Sequence, residues 1–260
     1  MKNQENKKEL SRLKSQQQEI LREVIARRGK QDLAFLIENI LNDPDDSRYL
    51  KLAPFHHELI AELNTFWNSD EEFFLAMLPR GSLKTSLLTI AWSIQRILNN
   101  PNVRILITSE RGDNSRKFLR EISEHFERNP RLRYYYGNWM TTEQKWTEFE
   151  IVVSKRTQIL KEPTVATGST EQSPVSAHFD LILIDDLVSR SNTMTADQIR
   201  KTKQYFRDLL SVRDKGTKIL TTGTFWSFND LYCELLRGLT PEKDFINGQP
   251  ATRERIAQFV

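Results

Sequence analysis

An α/β fold, with a mostly parallel central sheet and helices on both faces, is predicted for this chain of 260 residues. Three observations predict it. Short apolar runs such as 103–109 (VRILITS) and 180–184 (DLILI) are uniform rather than alternating, as strands buried on both faces are. Helical patterns separate them, which gives the strand–helix alternation of crossover connections. Polar clusters containing Lys84, Asp185 and Thr222 stand just past the carboxyl ends of three runs, where open α/β sheets bind ligands.

The elements follow in order. Residues 5–28 read as a charged helix with a thin apolar stripe of Leu10, Leu13, Ile20, Leu21, Val24 and Ile25, broken at Gly29. It is either a solvated helix lying on the domain or a lid or neighbour contact. A better amphipathic helix is expected over 31–42, then a turn cluster at 43–47, then a helix opened by Pro54. Strand 73–78, helix 85–99, strand 103–109 and helix 113–128 come next, the last with Phe118, Leu119, Ile122 and Phe126 on one face. Residues 131–147 read as irregular, and 149–153 with 163–167 as a hairpin. Strand 180–184, helix 195–211, strand 217–223 and a helix over 229–238 ending at Gly238 complete the pattern. This divides the chain into a helical extension or lid (1–48), a core (49–240) and a polar tail or linker (241–260).

The composition excludes several classes. The single cysteine, Cys233, precludes an intrachain disulfide and reads as a small core residue. The amino terminus has no signal-peptide pattern, and no apolar run approaches the ~18 residues of a membrane span. The histidines are not spaced with cysteine as zinc ligands; His125 and His178 read as structural. Net charge is only +3, so any nucleic-acid contact depends on where charge lies. Basic residues cluster at 111–120, at 200–218 and in the first helix. They are either solvated faces or a salt-sensitive phosphate track.

Strand 73–78 runs into Pro79-Arg80-Gly81-Ser82-Leu83, and Lys84-Thr85-Ser86 opens the next helix. This is the layout of a phosphate-binding loop: backbone N–H groups and the helix dipole face an anion, the lysine reaches the phosphates and the threonine hydroxyl serves Mg²⁺. Two glycines of the usual pattern are replaced, by Leu78 and Leu83. Asp185 and Asp186 end the 180–184 strand, where one carboxylate suits a metal site and the other can polarise an attacking water. Thr222-Gly223-Thr224 end a third strand and suit a sensor of the terminal phosphate. Phe225, Trp226 and Phe228 read as packing around that loop.

Segments 54–59, 79–85, 118–137, 178–188 and 222–232 together resemble the large terminase subunit of tailed bacteriophages, in its N-terminal DNA-packaging ATPase domain. The resemblance runs from about residue 50 to about residue 238. It implies a P-loop NTPase fold of the ASCE type using ATP and Mg²⁺, acting in the host cytoplasm. It implies assembly into a ring, pentameric in several phages. The implied partners are double-stranded DNA, a portal protein, a small terminase subunit and a nuclease domain for which 260 residues leave no room; no nuclease activity is expected of this chain. Lys84 and Thr85 match the phosphate and metal residues, Asp185 the metal acid, Asp186 the catalytic acid and Thr222–Thr224 the coupling motif. Arg80 stands where it can respond to the terminal phosphate. Phe55, His56 and His57 fall where relatives contact adenine, without the usual glutamine. The stretch that carries an arginine finger in some relatives has no arginine here, which leaves Arg156 and Arg190 as candidates. Another P-loop translocase, or a ring subunit that binds nucleotide without hydrolysing it, are the alternative readings.

Overall fold

The computed structural model describes residues 2–42, 51–170, 177–226, 229–236, 245–246, 249–250 and 255–258. Phe228 and Gly238 lie outside them. The helical elements are α1 (Lys2–Gln31), α2 (Leu33–Leu36, continued by a π-helical turn, Ile37–Leu41), α3 (Pro54–Asn68) and α4 (a π-helical stretch, Thr85–Ala91, continued by Trp92–Asn99). They continue with α5 (Gly112–Arg128), α6 (Pro130–Tyr136), α7 (Ala196–Ser211) and α8 (Leu231–Leu236). The strands are β1 (Phe73–Met77), β2 (Ile105–Ser109), β3 (Glu150–Ile151), β4 (Val165–Ser169), β5 (Phe179–Asp185), β6 (Arg213–Gly223), β7 (Phe245–Ile246), β8 (Gln249–Pro250) and β9 (Arg255–Gln258).

Seven strands form one sheet in the order β3-β4-β2-β5-β6-β1-β9. All pairs are parallel except β3–β4, the predicted hairpin. β7 and β8 pair separately. Alternate strand residues enter two different cores, as the two-residue side-chain period requires. Phe74, Ala76, Ile105, Ile107, Leu181, Leu183 and Leu220 pack beneath α2–α6. Leu75, Met77, Leu106, Ile182, Ile184 and Ile219 pack against α7 and α8 through Tyr205, Phe206, Leu209 and Tyr232. Both faces of the strands are therefore dry, which is why their sequences are uniformly apolar. α7 begins where Thr195 and Gln198 form a reciprocal capping box.

Three sequence expectations change. α1 does not break at Gly29. A Cβ there would stand 2.3 Å from the Tyr136 hydroxyl and 2.9 Å from Ile40. The glycine allows α1 to cross α6 closely, and Tyr136 donates to the Ala26 carbonyl at 3.0 Å. Residues 131–147 are not wholly irregular: Asn129 caps α6 by accepting from the Arg131 and Leu132 amides, with Pro130 in the first turn. Within the polar tail or linker of 241–260, no strand was expected, yet Arg255–Gln258 forms β9 beside β1.

The last turns of α1 and all of α2 are fastened to the core. Gln95 and Asn99 of α4 donate to the Gly29 and Lys30 carbonyls at 3.4 and 2.8 Å. Asn129 donates to the Ile40 and Leu41 carbonyls, each at 3.1 Å. A cavity of about 40 Å³ lies at this junction, bordered by Leu41, Leu52, Leu83, Ser86, Ile90, Glu121 and His125.

Burial there pushes His125 down to about 4. Its folded value lies below the ordinary one, so the unfolded chain binds the proton first as pH falls, and the cost grows from about pH 6.5 to about pH 4. Up to about 3 kcal/mol of stability should be lost across that window. Burial raises Glu121, whose protonation acts in the opposite sense and offsets part of the loss. Urea unfolding midpoints at pH 7 and 4.5 should converge in His125→Gln and separate in the parent.

Candidate active site

Three strand tips meet at one point on the carboxyl edge of the sheet. β6 lies between β1 and β5, so the tips of all three are adjacent. The β1–β6 pairing continues into the loop, where the Leu78 amide donates to the Gly223 carbonyl at 3.1 Å.

The loop after β1 is shaped by two left-handed residues, Gly81 (φ +80°) and Leu83 (φ +58°). Open space surrounds the missing Cβ of Gly81, so this glycine answers to conformation alone. Leu83 adopts the same region with a side chain, at a cost of about 1–2 kcal/mol. This explains the consensus glycine at its position. Its side chain borders the cavity beneath the N-terminal extension. Ser86 borders the same cavity, so it faces the extension.

Ser82 is buried and donates to the Pro79 carbonyl at 2.7 Å. His56, also buried, accepts from the Ala53 amide through Nδ1 at 2.8 Å, which leaves Nε2–H to donate to the Ser82 carbonyl at 3.0 Å. Both His56 nitrogens are thus committed to the chain itself. These two bonds let His56 brace the loop against α3. Phe55 stacks on the His56 ring at 3.8 Å, and His57 is exposed.

Lys84 is buried. Its Nζ donates to Asp186 Oδ1 at 2.6 Å and to Thr224 Oγ1 at 3.0 Å, so one ammonium spans all three strand ends. Asp186 sits in the left-handed region at φ +47°, its amide donating to the Thr222 carbonyl at 3.0 Å. A strained residue at a strand end is a recurrent mark of functional sites. Asp185 is buried and accepts from Thr89 Oγ1 at 2.8 Å, from Thr222 Oγ1 at 3.1 Å and from the Thr85 hydroxyl. Burial raises its pKa; the Thr89 and Thr85 hydrogen bonds pull it back down. Arg80 is exposed, its guanidinium 4.8 Å from the Trp226 ring centroid, while Phe225 is exposed.

Two residues of this site were missed in the sequence. Thr89 lies one turn beyond Thr85 in an apolar helix, and that spacing was the available signal. Tyr232 is fully buried; its hydroxyl accepts from the Val188 amide and donates to the Thr222 carbonyl, each at 3.2 Å. It ties the acidic loop to β6. Gly223 makes room for it: a Cβ there would fall 2.2 Å from the Tyr232 ring. Gly223→Ala should therefore destabilise the chain by about 3 kcal/mol through overpacking. Chemical denaturation of the purified variant measures this, and an unchanged midpoint would contradict the packing account.

The candidate arginines lie apart. Arg190 is exposed in the loop after Asp186. Arg156 donates to the Glu162 carbonyl at 2.7 Å, near the amino ends of β2 and β4 and away from the three tips. In the 200–218 cluster, Arg200 meets Asp197 at 3.0 Å, Lys203 meets Glu234 at 2.5 Å and Lys218 donates to the Ser69 and Glu71 carbonyls. Arg200 and Lys203 are thus ion-paired within the chain, and Lys218 is held by carbonyls.

A parallel sheet with a strand inserted between the loop strand and the acidic strand, covered on both faces, is the P-loop NTPase fold of the ASCE type. No protein-family model matches the chain, and no curated protein matches it. Among solved structures, the chain is similar to the HK97 bacteriophage large terminase, with a TM-score of 0.54 and 13% identity over 83% of this chain and 42% of that one. The resemblance to terminases is thereby borne out in the fold, and this chain spans about two-fifths of the HK97 protein's length. The Phi-28 gp11 DNA packaging motor also matches, at a TM-score of 0.41 and 16% identity over 62% of this chain and 48% of that one. Among the described residues, no helix is long and apolar enough to cross a membrane.

Proposed function

We propose that this chain is the ATPase motor domain of a viral DNA-packaging terminase, coupling Mg-ATP hydrolysis to movement of double-stranded DNA into a procapsid. The observation that carries the reading is the convergence of Lys84, Asp186 and Thr224 within 3.0 Å of one ammonium nitrogen, with Asp185 and its threonines behind them.

The donor set fits Mg-ATP. A buried lysine at a strand-to-helix junction, beside amides at a helix start, suits a polyphosphate. Thr85 offers its hydroxyl to the metal. Asp185, already accepting from Thr85, Thr89 and Thr222, orients that hydroxyl and supports the metal's water shell. Mg-ATP supplies the phosphoryl group and the charge that neutralises it. The protein's task is positioning and electrostatics.

Asp186 is the general base. Lys84 donates to its carboxylate at 2.6 Å. A phosphate oxygen competing for the ammonium would leave Asp186 free to orient water and accept its proton. Thr224 shares the same ammonium, so that exchange is felt at the tip of β6 and, through Thr222 and Tyr232, in the acidic loop. Arg80 on the loop and Arg190 beyond the acids, both exposed, are the candidates to complete a site, in cis or in a neighbouring ring subunit. The portal protein, the small subunit and the host cytoplasm follow from the same reading.

The test is steady-state phosphate release from Mg-ATP by this chain beside Lys84→Ala. Equal rates overturn the reading, and nucleotide binding without release assigns the chain to a ring subunit that does not hydrolyse.

A further inference from the structure

α1 has 30 residues and meets α2, α4 and α6 through its last turns, where Ala26, Gly29 and Lys30 make their contacts. Residues 11–21 are all exposed. At about 1.5 Å per residue, these exposed residues alone make about 16 Å of helix that stands clear of the body. It is not uniformly polar: Leu13, Ile20, Leu21 and Val24 are 51%, 62%, 59% and 57% exposed. Large side chains at this spacing on a helix unpartnered in the chain mark a contact surface.

The spacing identifies the occupant. Leu13, Gln17, Ile20 and Val24 follow one another by four, three and four residues, the d–a–d–a rhythm of a two-stranded coiled coil, and Leu10 continues it in sequence. The flanking positions then carry Glu9, Gln16 and Glu23 on one side of the seam and Lys14, Leu21 and Arg28 on the other. In a parallel pair, each residue of the first set faces the residue five places further on in the partner. That gives Glu9 with Lys14, Gln16 with Leu21 and Glu23 with Arg28. Two contacts are of opposite sign and none is of like sign. An antiparallel pair would instead set Glu9 against Glu23 and Lys14 against Arg28. Gln17, at the centre of the seam, finds a matching amide in a second copy in the same register, as single polar seam residues do when they fix register and number.

From this we infer that α1 is a dimerisation arm: it pairs in parallel, in register, with α1 of a second copy of this chain. The inference is independent of the nucleotide site, because none of these residues touches it.

The experiment uses the full chain. Sedimentation velocity across a concentration series should show a reversible dimer. Ile20→Asp should weaken it more than about tenfold, while helicity and nucleotide binding stay unchanged. Glu9→Lys should weaken it about fivefold at low salt, through two like-charge contacts, and Glu9→Lys with Lys14→Glu should restore it. In a Cys233→Ser background, Leu13→Cys should oxidise to a covalent dimer, since only the parallel register brings residue 13 to its own counterpart. A monomer at every concentration overturns the inference. So does an assembly insensitive to Ile20→Asp, or a Leu13→Cys chain that crosslinks only to a copy carrying cysteine at position 24, its antiparallel counterpart.

Discussion

Lys84→Ala is expected to lower phosphate release by at least about 10³-fold, a loss of about 4 kcal/mol of transition-state stabilisation. The ammonium is buried, so its charge acts through a weakly screened environment. It also holds three strand tips together. Its removal leaves Asp186 without its 2.6 Å partner and Thr224 without its 3.0 Å donor. Nucleotide affinity should fall as well, because the lysine pairs with phosphate in the ground state. Lys84→Arg is not a conservative rescue: the planar fork is wider than the ammonium and cannot meet both oxygens in the same space. Malachite-green or coupled-enzyme assays, with fluorescent nucleotide titrations beside them, separate the two losses. Full activity in Lys84→Ala would show that the convergence of the three tips is structural only.

Asp186→Asn should have a different signature. The amide is close in size but cannot take a proton from water, so kcat should fall by about 10²–10⁴-fold. Binding should hold or tighten, since one negative charge next to the phosphates is gone. A parallel loss of affinity would mean that Asp186 maintains the loop rather than acting on water. Its left-handed backbone favours asparagine as readily as aspartate, so the substitution adds no new strain. Asp185→Asn makes the useful contrast. That carboxylate is buried and accepts from three hydroxyls, and an amide nitrogen facing those threonines would misorient Thr85 and weaken metal dependence.

The main sheet and the three strand tips were legible because their signals are local. Uniform apolar runs announced strands buried on both faces, and a lysine, an acid pair and a threonine pair each followed such a run. What failed to show were features whose cause lies elsewhere in the chain. Gly29 reads as a helix end, yet it continues α1 because Tyr136, more than a hundred residues away, needs its space. α6 had real cues in Asn129, Pro130 and Gly137, which the arginine and tyrosine run between them obscured. The bracing role of His56 is visible only once α3 is placed beside the loop, where its partners are Ala53 and Ser82. β9 carries no pattern of its own and is defined by pairing with β1.

α4 begins at the lysine loop and ends at Asn99, whose amide grips the last residues of α1. The arm is therefore mounted on the far end of the rod that starts where phosphate would sit. With about 30 Å of helix beyond the mount, a tilt of about 5° in that rod would sweep the arm's tip by about 3 Å. Leverage of this kind would turn a small rearrangement around a bound anion into a displacement that a neighbouring molecule could feel.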